Sequence, residues 1–372
     1  MFNRTWQEAR AIVRRERIMT LSWLLAGISS VFSVPKLSYI DFQVLGILFC
    51  LMLVVGGLQK VKALDFLAVR LLAACSSLRG ITAALTGIAF FGSMLITNDV
   101  ALLTFVPLAL AVGRRLRLDM VKIVILQTLA ANLGSALTPM GNPQNLFIYA
   151  HFEMTPLGFM GAIAPLAAAA LLWLCWLVGM EREQEIEGGL APVTITSQSE
   201  LAAYLAVFAV ILLSVFHLLD FKLALLVTAA VILTADRKLL GEVDYALLMT
   251  FCGFFIFIGN ISGLEVIREL RSDLLANPGR IYWLAILLSQ FVSNVPATML
   301  LAGLTAEPVP LLLGVNVGGL GTLLASMASV ISYKLYLEAN PLQGRSYLLM
   351  FLYYNAIGLL LLAPAGYYLL IC

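Results

Sequence analysis

Charge is scarce in this chain. Of its 372 residues only 12% are Asp, Glu, Lys or Arg, while 61% are hydrophobic. A soluble domain carries about 25% charged residues, so a water-covered globule is excluded. Alternation of apolar and polar residues is also lacking. The apolar runs are continuous, which excludes an outer-membrane barrel. The five cysteines (Cys50, Cys75, Cys175, Cys252, Cys372) have no metal-like spacing and read as small hydrophobes. No G-x-x-x-x-G-K-[ST] pattern points to ATP drive. No histidine stands near Ser293 or Ser326, so nothing there suggests the nucleophile–base pair of an intramembrane enzyme. A net charge of +2 gives no sign of a nucleic-acid partner. What remains is an all-α polytopic membrane protein, because runs of the roughly 20 apolar residues that a bilayer requires recur from end to end.

The expected spans are 19–34, 42–59, 119–150, 156–180, 199–217, 222–236, 243–260, 309–338 and 347–371. Two further apolar stretches, 79–113 and 279–304, are broken in the middle by polar residues. A short charged amphipathic segment, 60–77 or 262–276, precedes each. Their arms read as too short to cross, so both are expected to be re-entrant hairpins. Met1–Arg17 carries five arginines and two glutamates and lacks an A-x-A-like cleavage site after it. Residues 1–18 are therefore read as a cytosolic amphipathic segment. The polar stretch 181–198 is read as a cytosolic linker between a first unit, 19–180, and a second, 199–372.

Lys and Arg counts orient the spans. With a cytosolic N-terminus and re-entrant hairpins, only Lys36, Lys222, Arg268, Arg271 and Arg280 of the 23 basic residues fall outside. The "RRLR" cluster at 114–117 falls inside. The same topology makes the C-terminus external and suits a prokaryotic-type inner membrane. An internal repeat runs through the two units. Phe49–Cys50 recurs at Phe251–Cys252, offset by 202, and "TND" at Thr97–Asp99 is answered by "SNV" at Ser293–Val295, offset by 196. "NLGSALTPMGNPQNLFIY", Asn132 to Tyr149, is answered by "NVGGLGTLLASMASVISY", Asn316 to Tyr333, offset by 184. The first unit begins inside and its counterpart outside, so the expected architecture is two inverted repeats. Each holds a re-entrant hairpin and a broken transmembrane helix.

Irregular backbone at membrane depth survives only where protein or a watery cavity covers it. Inverted repeats with discontinuous helices mark secondary transporters with a midplane site. Pro139, Pro143 and Gly141 interrupt one helix, freeing carbonyls for a cation and N–H groups for an anion. Thr97, Asn98 and Asp99 lie between two apolar arms. Ser293, Asn294 and Thr298 do likewise, with Pro296 forcing the break. The expected solute-facing residues are Thr97, Asn98, Asn142, Asn145, Ser293, Asn294, Thr298 and Ser326. The expected cation-facing residues are Asn98, Asp99, Thr138, Gly141, Asn294, Gly321 and Thr322, with Na+ one possible occupant. The alternative is that these are turn formers bonded to one another. A carboxylate such as Asp99 at the bilayer centre costs roughly 2.5–3.5 kcal/mol, which a bound cation or a proton offsets. Its other reading is an ordinary helix N-cap. His151 and His217 are expected at outer helix ends.

The motifs "TND" and "SNV", with "GNPQN" and "GGLGT…ASMAS" after them, resemble the ion transporter superfamily from about 19 to 371. That group holds sodium–dicarboxylate symporters, citrate transporters, arsenite permeases and a class of sodium/proton antiporters. In its dicarboxylate branch both tips read Ser-Asn-Thr. The asparagines carry over here to Asn98 and Asn294, while the third position differs in both tips. An Asn98–Asp99 pair is more similar to arsenite permeases. The resemblance implies a homodimer in which hairpins and broken helices move as an elevator against a still scaffold. It implies cation-coupled (Na+ or H+) secondary transport of a small anion, a carboxylate or oxyanion, with no cofactor besides the coupling ion. Arsenite-type efflux, Na+/H+ antiport and passive conduction are the alternatives. The charge count makes a topological prediction. In a cysteine-depleted background, an impermeant thiol reagent added to intact cells should label single cysteines in 262–276 and spare those at 114–117 and 181–198. Strong labelling at 114–117 would break the inverted arrangement.

Overall fold

The computed structural model describes residues 16–185, 192–265, 267, 269 and 277–371. Most of the basic segment 1–18, residues 186–191 of the linker, most of 262–276 beyond Glu265 (Arg268 and Arg271 included) and Cys372 lie outside the described residues. The described chain is helical. Its first half comprises α1 (Arg17–Ser29), α2 (Phe42–Lys60), α3 (Ala63–Leu72), α4 (Leu78–Ile96), α5 (Asn98–Leu116), α6 (Val121–Ser135), α7 (Pro143–His151) and α8 (Pro156–Gly179). The second comprises α9 (Gln198–Val215), α10 (Phe221–Ala235), α11 (Tyr245–Ile261), α12 (Pro278–Val292), α13 (Asn294–Ala302), α14 (Pro308–Gly318), α15 (Met327–Ala339) and α16 (Gly344–Ile371).

The helix starts follow from side-chain chemistry. Asp41, Ser77, Thr155, Ser197 and Asp244 each accept the N–H three residues on, and Pro156 and Pro278 occupy first-turn positions where no N–H is needed. Among the described residues five stretches are long and apolar enough to cross a membrane: α2, α4, α8, α9 and Pro341–Ile371. Two expectations need correction. The first span, read as 19–34, ends at Ser29, after which the chain turns ahead of Pro35, a residue that cannot continue a helix. The first hairpin's arms are not short. α4 and α5 have 19 residues each, about 28 Å of helix, since the helix continues through Pro107. The second hairpin's arms have 15 and 9 residues.

Helix termini gather in two groups. At one, Lys60 pairs with Glu200 and Asp236 at 3.2 and 2.9 Å, and its ammonium holds the Asp236 carboxyl below the usual range. Arg79 pairs with Glu183 at 3.1 Å and Lys122 with Glu181 at 2.7 Å. These contacts bring the start of α4, the start of α6 and the end of α8 together. Arg114, in the last turn of α5, shares a hollow with Asp119 and Asn340 beside that same α6 start. Both feet of the first hairpin therefore stand at one end of the molecule. At the other group, the Tyr149 and His217 rings stack 5.0 Å apart. Tyr39, Asp41, His151, Gly259 and Gly303 line a hollow of about 370 Å³ nearby. Helix α2 joins the two groups.

Equivalent residues of the two halves share geometry. Thr97 and Ser293 link their hairpin arms with φ of 70° and 77°. Positive φ is rare for a side-chain-bearing residue and costs on the order of 1–3 kcal/mol. Gly134 lies so close to α4 that a Cβ there would sit 2.1 Å from the Phe90 carbonyl oxygen. On its counterpart Gly318, a Cβ would sit 3.0 Å from Cα of Ile286, the counterpart of Phe90. Gly134→Ala is accordingly expected to destabilise the purified protein by roughly 1–3 kcal/mol through overpacking. Gly161→Ala, where nothing lies within 4 Å, should leave the melting temperature unchanged. Equal melting temperatures for the two variants would refute the close α4–α6 contact.

Candidate functional site

Two helices stop in mid-course. α6 ends at Ser135 and resumes as α7 at Pro143; α14 ends at Gly318 and resumes as α15 at Met327. In the last turn before each stop stands a buried asparagine, Asn132 or Asn316. Asn132 Nδ2 donates to Ser329 Oγ at 3.1 Å, and Asn132 Oδ1 accepts from Ser326 Oγ at 3.0 Å and from Asn98 Nδ2 at 3.1 Å. Asn316 Nδ2 donates to Asn145 Oδ1 at 2.8 Å, and Asn316 Oδ1 accepts from Asn142 Nδ2 at 3.3 Å. The 184-residue offset that pairs Asn132 with Asn316 also pairs Asn142 with Ser326 and Asn145 with Ser329. Each half thus holds the restarted helix of the other, in a crossed network.

The interrupted backbone is secured twice over. Thr138 Oγ1 donates to the Met94 carbonyl in one half, and Thr322 Oγ1 donates to the Gln290 carbonyl at 2.9 Å in the other. Met94 and Gln290 lie 196 residues apart, as the hairpins do, so the same bond recurs at equivalent positions. The carbonyls expected to be free for a cation have protein partners. Asn145 Nδ2 donates to those of Ser135, Ala136 and Thr138 at 3.3, 3.0 and 3.3 Å. In the second half Gln290 Nε2 donates to Gly318 and Leu320, both at 2.9 Å, and Gln290 Oε1 accepts from the Thr322 N–H at 2.9 Å. Ala136 and Leu320 are equivalents held by amides from different elements. Gly321, at φ +108°, leaves room for the Gln290 amide, which a Cβ would meet at 2.2 Å. Gly141 is pressed against the Ser135 carbonyl.

The sequence-predicted residues sort as follows. Asn98, Asn142, Asn145 and Ser326 join the crossed network. Asn294 lies beside it, its Nδ2 3.1 Å from where a Cβ of Gly319 would be. Ser293 Oγ donates weakly to Asn294 Oδ1 at 3.4 Å, and Thr298 Oγ1 donates to the Asn294 carbonyl at 2.7 Å. Thr97 occupies the N-cap position of α5. Asp99 therefore does not cap that helix; its own N–H is taken by Asn98 Oδ1 at 3.0 Å. The Asp99 carboxylate is half-buried and makes no hydrogen bond or ion pair to a described residue. Thr138 is half-buried and Gly141 buried, whereas Thr322 is exposed and Leu324 beside it is 60% exposed. The two breaks are thus covered unequally. Among the described residues no three His, Cys, Asp or Glu cluster.

Asn132, Asn316, Ser135, Ser329 and Gln290 were absent from the sequence-derived site. A signal for the asparagines existed: each opens one of the two matched stretches, a polar amide inside an apolar helix at a shared offset. Gln290 had none, since its counterpart Met94 is apolar.

A family model described as "Citrate transporter" matches residues 6–332 of this chain. Inner membrane protein YbiR of Escherichia coli is 32% identical over 363 residues, 94% of either chain. An uncharacterized transporter of Methanocaldococcus jannaschii is 33% identical over 300 residues, covering 80% of this chain and 81% of its own. The crystal structure of the Alcanivorax borkumensis YdaH transporter covers 94% of this chain and 96% of its own. Its TM-score is 0.55 at 15% identity, a likeness of fold. With that fold, those apolar spans and those relatives, the chain is an integral membrane transporter and not an enzyme, and it belongs to the citrate transporter family of the ion transporter superfamily.

Proposed function

We propose that this transporter couples a cation, Na+ or H+, to the movement of a small anion, a carboxylate or oxyanion, through a site between the hairpin tips and the two broken helices. The observation that carries the reading is the meeting of helix N-termini around Asn132 and Asn316. α5 and α15 reach Asn132 through Asn98 and Ser326, and α7 reaches Asn316 through Asn142. The tip of α13 lies alongside at Gly319. Each N-terminus acts as about half a positive charge, so four supply on the order of +2 without a buried Lys or Arg.

Asp99 supplies the reason for coupling. An anion about 4 Å from an ionised Asp99 would meet a repulsion of roughly 4 kcal/mol at an effective dielectric of 20. That is a loss of about three decades in affinity. A sodium ion or a proton on Asp99 removes this penalty, so solute binds tightly only with its cation. In this reading the two halves are inverted repeats with re-entrant hairpins, the N-terminus is cytosolic and the C-terminus external. The ion-paired group of helix ends at Lys60, Arg79 and Lys122 is the cytosolic one, as basic residues favour. Hairpins and broken helices travel together against α1, α2 and α9–α11, in a homodimer of the inner membrane.

The test is thermal stabilisation of purified protein by a panel of carboxylates and oxyanions across sodium concentrations and pH, since a ligand of the folded state raises its melting point. The wild type should respond to a solute only with sodium or at acid pH. Asp99→Asn should respond to the same solute at every sodium concentration and pH. Identical cation dependence in the two proteins would remove Asp99 as the coupling site.

A further inference from the structure

A groove of about 560 Å³ runs between α4, the first arm of the first hairpin, and α8. Its floor is made of small residues, Gly80, Ala83 and Gly87 of α4, facing Leu171, Leu174 and Val178 of α8. A Cβ on Gly87 would meet nothing within 4 Å, so the protein leaves this space open. Phe91, at the far end, is 56% exposed. Thr86, in the same wall, is only 4% exposed and its hydroxyl has no partner among the described residues. At the near end stands Arg79. Its Nε donates to the Glu181 carbonyl at 3.0 Å and its Nη1 to Glu183 at 3.1 Å, leaving Nη2 for another acceptor.

We infer that this groove binds an anionic phospholipid from the leaflet that Arg79 faces, with one acyl chain along the α4–α8 floor and the phosphate on the Arg79 guanidinium. The dimensions fit. From Arg79 to Phe90 is about 17 Å of helix, close to half of the roughly 30 Å hydrocarbon core, the depth one acyl chain reaches. The chemistry fits as well. An apolar trough in a spanning surface takes up alkyl chain in preference to water, and a basic residue between transmembrane helices at headgroup level recruits anionic lipid. Glu183 competes with the phosphate for Arg79, which sets the preference at a moderate value. Because α4 belongs to the hairpin, the lipid rides on the element that carries Asn98.

The test is native mass spectrometry of protein purified into detergent with equal phosphatidylglycerol and phosphatidylcholine, with circular dichroism as the folding control. The wild type should retain one phospholipid, chiefly phosphatidylglycerol. Gly87→Leu, whose Cβ meets nothing within 4 Å, should lower retention of both lipids at least fivefold. Arg79→Gln should keep the lipid and lose the preference, and Glu183→Gln, which frees the guanidinium, should sharpen it. Undiminished retention in Gly87→Leu, or an unchanged preference in both Arg79→Gln and Glu183→Gln, would overturn the inference. Efficient disulfide cross-linking between copies through Cys175, an exposed groove residue, in a variant without the other cysteines would also overturn it. That result would mean a second copy fills the trough.

Discussion

A hydrocarbon environment offers no partner to an unpaired peptide group, and this constraint governs the molecule. Interrupting α6 and α14 exposes carbonyl and N–H groups where water is scarce, and the polar residues around the breaks answer that problem. Asn145 and Gln290 take the loop carbonyls, Thr138 and Thr322 tie the loops to the hairpins, and Asn132 and Asn316 each reach into the opposite half. The polar centre that results is a structural repair and, in the function proposed above, the place where solute sits.

The two halves solve the same problem with different residues. In the first, the restarted helix supplies the amide that holds the loop; in the second, the hairpin's first arm does so through Gln290. The first break is half-buried at Leu137 and Thr138 and buried elsewhere, while the second reaches a surface at Thr322 and Leu324. The first hairpin is also the longer one, with 19-residue arms against 15 and 9. One plan is thus executed with unequal parts.

Much of the architecture was legible in the chain. Apolar length fixed the helices to within a few residues, except where α1 stops at Ser29 ahead of Pro35. Offsets of 196 and 184 located the hairpins and breaks, and they hold in three dimensions at Thr97 with Ser293 and at Gly134 with Gly318. The roles inside the islands were less legible. Asn145 was read as facing solute, yet its amide is spent on backbone carbonyls, because composition shows that a polar group is present and not which of several close acceptors wins it. Gln290 escaped notice for a related reason: its partner is a loop about 30 residues away that only folding brings near.

The crossed network is the central claim, and double-mutant cycles on unfolding free energy in detergent test it most directly. Pairs in contact show coupling of roughly 0.5–3 kcal/mol, and separated pairs are additive. Coupling is predicted for Asn132→Ala with Ser329→Ala, and for Asn316→Ala with Asn145→Ala. Weaker coupling is predicted for the exchanged pairs, which share no direct hydrogen bond, Asn132→Ala with Asn145→Ala and Asn316→Ala with Ser329→Ala. Additivity in the first two pairs, or equal coupling in all four, would contradict the account.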